Sequence, residues 1–144
     1  MATSSIKETI ETIEEVLTNQ FSDLIKSVSF EKFANTTKDK DYPKCSFYFA
    51  EGGTQIQSNT NVCTLSFEFL DAVSGRENKV LRTKEVVSDM FQTASMFVNY
   101  LSDQSRLDLI YPVSIETFDN KYKDGLGGVS FTLTINIIRP CLSM

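Results

Sequence analysis

The residues best placed to do chemistry lie near the end of the chain, in "KYKDGLGGVSFTLTINI" (121–137), which holds Gly125, Gly127 and Gly128 of six glycines in all. A glycine-rich turn beside a helix can cradle a phosphate, because the amides of the helix N-terminus point at the anion. That arrangement needs a strand before the glycines and a helix after them. Here the glycines run into Val129, Phe131, Leu133, Ile135 and Ile137, alternating with Ser130, Thr132, Thr134 and Asn136. This is the period of a strand. No Gly-Lys-Ser/Thr is present, so a phosphate cradle is excluded on context.

A calcium loop from Asp119 to Gly125 also fails. Lys121 and Lys123 stand at alternate positions where carboxylates belong, and Ser130 replaces the closing glutamate. Cys45, Cys63 and Cys141 are too far apart for a zinc site and read as buried small hydrophobes. With no histidine, a serine or cysteine nucleophile lacks its usual base. The acidic pairs Asp103 with Asp108 and Glu116 with Asp119 are the surface carboxylates of any soluble domain. The expectation is a chain with no catalytic residues, no cofactor, no metal and no nucleotide.

What remains for Lys121, Tyr122, Lys123, Asp124, Gly125, Gly127 and Gly128 is a loop joining the last two strands. It is either a plain surface turn or a protruding loop, spanning 119–128, that touches a neighbouring subunit or lines a pore.

The elements that position this loop follow from periodicity. Ser5 and Glu8 form a capping box, and Ile6, Ile10, Ile13, Leu17, Phe21 and Leu24 recur at helical spacing, widened by Val16 and Ile25. This predicts a first helix of about five or six turns. Glu8, Glu11, Glu14 and Glu15 suit its positive end as a solvated face. "CSFYFA" (45–50) predicts a short strand, and "EGGTQIQSNTN" (51–61) a mobile connection. Cys63, Leu65, Phe67 and Phe69 then alternate with polar residues, completing an antiparallel hairpin.

Residues 71–82 read as a loop, and Thr83 opens a second helix that buries Val87, Met90, Phe91, Ala94, Phe97, Val98 and Leu101. Met96 and Tyr100 lie off that stripe, as tertiary packing or as a subunit contact. A third strand runs from about Leu109 to Phe118, irregular or at an edge near Pro112. The expected fold is α+β: a single domain over 1–144, in α-β-β-α-β-β order, with an antiparallel sheet and both helices packed on it.

Composition narrows the partners. The net charge is −5 with no basic block, so nucleic-acid wrapping lacks its electrostatic footprint. No stretch has the length of a membrane span. The N-terminus lacks the order of a signal peptide, so a reducing compartment is expected.

The plan of the chain resembles a known group. A capped helix, a "YP" approach to an aromatic strand, a long-tipped hairpin, a second helix and a "DGLGG" turn into "VSFTLTINI" are similar to the tail-terminator and tail-completion proteins of tailed bacteriophages. The similarity covers the chain from about Ser5 to Pro140. Members often carry an aromatic residue after the turn glycine, where this chain has Val129.

The resemblance implies a structural virion protein forming a homo-oligomeric ring, commonly of six copies, at the neck between head and tail. Its partners would be other copies of itself, the tail tube protein and the head-tail adaptor or connector. Viral DNA would pass through without specific binding. The protein would sit in the virion, and in the host cytoplasm during assembly. A different neck or baseplate ring protein, or a cytoplasmic α+β module binding a small ligand or a peptide along a sheet edge, are the alternatives.

Overall fold

The computed structural model describes residues 5–32, 42–56, 61–72, 79–103, 107–121 and 125–137. Its elements are α1 (Ile6–Asn19), β1 (Ser27–Ser29), β2 (Lys44–Ile56), β3 (Asn61–Ala72), α2 (Lys79–Asp103), β4 (Asp108–Ile110), β5 (Ile115–Lys121) and β6 (Leu126–Ile137). Among the described residues, two helices and one six-stranded sheet make an α+β fold. The order is α-β-β-β-α-β-β-β, which differs from expectation by β1 and by a divided third strand.

The sheet is mixed. Its order is β1-β2-β3-β6-β4, with β5 also on β6, and among the described residues β1 pairs parallel to β2 while every other pairing is antiparallel. The expected all-antiparallel sheet is therefore corrected at one edge. "SVS" is too short to show a period, and its pairing depends on tertiary contacts: Lys26 N–H donates to the Pro43 carbonyl (2.7 Å) and Lys44 Nζ to Ser29 Oγ (2.9 Å).

At the N-terminus Ser5 Oγ accepts the Glu8 amide at 3.0 Å, which is the expected cap. The helix is shorter than expected, ending at Gln20, and Phe21 and Ile25 reach the core from the turn that follows. β2 and β3 form the expected hairpin, but β2 continues to Ile56 where a mobile connection was expected. A bulge between Phe49 and Thr54 absorbs the register shift. Gly53 sits in it, where a Cβ would lie 2.5 Å from the Ala50 carbonyl oxygen.

Residues 71–82 are not simply a loop. β3 runs to Ala72 and α2 begins at Lys79, with 73–78 outside the described residues. Arg82 joins the two elements, donating to the Asp71 carboxylate at 3.0 Å and to the Ala72 carbonyl at 3.3 Å. The third strand is interrupted as its proline suggested. β4 and β5 both lie along β6, separated by residues 111–114, where a Pro112 nitrogen has no proton for a ladder.

One side of the sheet makes the core. Phe47, Phe67 and Phe131 stand in register across β2, β3 and β6. Their rings stack at 5.1 Å between neighbours, nearly parallel. Phe97 of α2 lies on this stack, 5.6 Å from both Phe67 and Phe69 and 5.8 Å from Phe21 of the α1 side. Phe97 thus joins both helices to the sheet.

Candidate functional site

The glycine stretch comes first. Strand pairing reaches into the expected loop over 119–128, with Lys121 of β5 opposite Leu126 of β6. Lys121 takes part through its backbone, while Tyr122, Lys123 and Asp124 lie outside the described residues. Gly125 is buried at φ 65°, the left-handed value a turn residue needs. Gly127 and Gly128 are buried inside β6 and pair with Asp71 and Leu70 of β3. A Cβ on Gly128 would lie 1.9 Å from the Phe69 carbonyl oxygen, so its role is close approach of two backbones. The buried Leu126 that follows Gly125 packs with Leu70. Of the stretch 119–128 expected as loop, the end of β5 to Lys121 and Leu126–Gly128 of β6 are strand instead, while 122–124 lie outside the described residues.

The two faces of the sheet differ in kind. Opposite the core, Ser66, Glu68, Ser130, Thr132 and Thr134, with Tyr48, Pro112, Ser114 and Glu116, line a hollow of about 510 Å³. Thr64 and Thr134 share a 3.4 Å hydroxyl contact across the strands, and Asn136 donates to Asp108 at 3.2 Å. The register places Glu68, Asp108 and Glu116 on this face. Lys44, on the same face, is fully buried. Glu68 is buried as well, so the exposed charge of this face is that of Asp108 and Glu116, among hydroxyls, with no helix over it among the described residues.

The sheet edges carry apolar surface. Beside β1, Phe30 is 36 % exposed and packs edge-on at 5.3 Å against Phe49, itself 44 % exposed. At the opposite edge, a groove of about 610 Å³ opens between α2 and β5, lined by Thr83, Lys84, Val87, Ser88, Phe91, Thr117, Phe118 and Asp119. Sequence periodicity placed Val87 and Phe91 on the buried stripe of α2. Val86 and Thr93 are buried instead, and Phe91 is 46 % exposed. Tyr100 meets Phe21 edge-on at 5.9 Å, so it is tertiary packing, whereas Met96 remains exposed.

The cysteines behave as small hydrophobes. Cys45 and Cys63 are fully buried, and loss of solvent pushes both thiols above their ordinary pKa, Cys45 most. Thiolate, the nucleophilic form, is correspondingly scarce at neutral pH. A variant carrying Cys141→Ser should therefore react with a thiol reagent only after denaturation. Reaction of either thiol within minutes in the native protein would contradict that packing. Among the described residues no group of three or more His, Cys, Asp or Glu side chains could hold a metal, and no helix is long and apolar enough to cross a membrane.

What these features define is an α+β sheet with its main core on one face, a small buried cluster around Leu70 and Leu126 on the other, and apolar surface at two opposite edges. No protein-family model matches the chain, and no curated protein matches its sequence.

Proposed function

We propose that the protein is a structural subunit of a tailed-bacteriophage neck, a tail terminator or tail-completion protein that assembles as a homo-oligomeric ring. The ring closes the tail tube, joins it to the head through the adaptor or connector, and catalyses nothing. The observation that carries this reading is the pair of unlike apolar surfaces at opposite sheet edges, Phe30 with Phe49 beside β1 and the α2–β5 groove at the other side. A cyclic ring of identical subunits is built from heterologous contacts, in which one patch of each subunit meets a different patch of the next.

The open face adds to this. With edges joined, the sheets form one wall of the ring, and hydroxyls with the exposed carboxylates of Asp108 and Glu116 would line a passage. A wall of that sign repels the DNA backbone, so DNA slides past it. The sequence plan from the capped α1 to the closing β6 is the second support, through its resemblance to neck proteins. Subunits would assemble in the host cytoplasm and end in the virion.

Light scattering on the purified protein tests the reading. The expected mass is a discrete multiple of 16.2 kDa that grows with concentration to a fixed limit. A monomer at every concentration would favour the other reading, a module that takes a peptide along the β5 edge. The groove beside that edge gives such a peptide somewhere to place its side chains.

A further inference from the structure

We infer that the groove between α2 and β5 receives the aromatic knob Phe30–Phe49 of a second copy, making this contact the head-to-tail joint of the ring. The inference rests on the ring reading above and supplies its interface.

Shape and chemistry agree. The groove has Val87, Phe91 and Phe118 among its lining residues, and its volume of about 610 Å³ is ample for aromatic side chains. The opposite edge offers Phe30, packed edge-on against both Phe47 and Phe49 and so held at a fixed angle. A rigid aromatic anchor entering an apolar pocket is the usual centre of a protein interface.

Charge agrees as well. Glu31 and Lys32 follow Phe30 directly and are exposed. The groove is rimmed by Lys84 of α2 and Asp119 of β5, also exposed. Seating Phe30 against Phe91 would bring Glu31 toward Lys84, an acid against a base, while Lys32 stays over its own Tyr48 ring at 5.6 Å. Such rim pairs set register and orientation more than they add affinity. A small ligand would use the groove but would give no reason for the matching surface at the far edge.

Complementation of two defective variants tests this. Phe91→Asp spoils the groove and Phe30→Asp spoils the knob, and each variant keeps the other surface intact. The parent should form the ring, and each variant alone should be monomeric. Mixed one to one they should form a heterodimer and stop there, since only one sound joint can be made. A second arm uses exposed charges, which leave the core untouched. Glu31→Lys or Lys84→Glu should each weaken assembly about 10-fold, and the double variant should recover most of the loss.

Circular dichroism and melting temperature establish that each variant is folded. If Phe30→Asp is not, the charge pair decides alone. A parent that stays monomeric overturns the ring reading and this joint with it. A parent ring that persists in both aspartate variants, or charge variants without rescue, overturns the joint alone.

Discussion

Phe97→Ala should lower stability by about 3–5 kcal/mol, the range for removing a large side chain from a closed core. Phe97 is fully buried and meets Phe21, Phe67, Phe69 and Phe131. Its loss would leave a void between both helices and the stacked rings of the sheet, and no small neighbour can swing into it. Urea denaturation would read the effect as a lower midpoint at unchanged slope. The informative comparison is Phe91→Ala, six residues earlier on the same helix. With Phe91 46 % exposed, that change should cost under about 1 kcal/mol. Equal losses at the two positions would mean that α2 is rotated from the orientation described.

Gly128→Ala should destabilise by at least about 3 kcal/mol, more than an ordinary glycine in a strand would suggest. The added methyl would stand 1.9 Å from the Phe69 carbonyl oxygen and 3.1 Å from the Leu70 Cα. Both are backbone atoms of β3 and cannot turn aside as a side chain can. The β3–β6 pair must part at its end, exposing Leu70 and Leu126, which are otherwise fully buried. Thermal melting with hydrogen exchange at Leu70 would locate the damage. A variant that melts within a degree or two of the parent would show that this glycine has no packing role.

These two residues also mark where the sequence was legible. The alternation from Val129 to Ile137 and from Cys63 to Phe69 identified the central strands and their core faces, because side chains of a strand point to the two faces in turn. Phe97, Ala94 and Leu101 on α2 were legible through helical spacing instead. Val87 and Phe91 were misassigned because the apolar residues of α2 span more than one face. Arg82, clamped to Asp71 and Ala72, belongs to a first turn that begins before the expected start of the helix. That surplus of apolar residues was the sequence signal of the α2–β5 groove, although it was read as core.

β1 was invisible for a different reason. Ser27, Val28 and Ser29 have no periodicity, and their strand exists through pairing with Lys44, Cys45 and Ser46 across a gap in sequence. The knob at Phe30 depends on that pairing and was equally hidden. The glycines were read as opening a strand, and Gly127 and Gly128 do lie at the start of β6. Their part in the ladder could not be read, since it depends on how closely β3 approaches.

The central claim, that unlike surfaces at opposite edges close a ring, is tested most directly by electron microscopy of the purified protein with class averaging. Closed rings with a central opening and about sixfold symmetry are the predicted result. Isolated monomers, or two-fold dimers joined by one patch meeting its own copy, would contradict it.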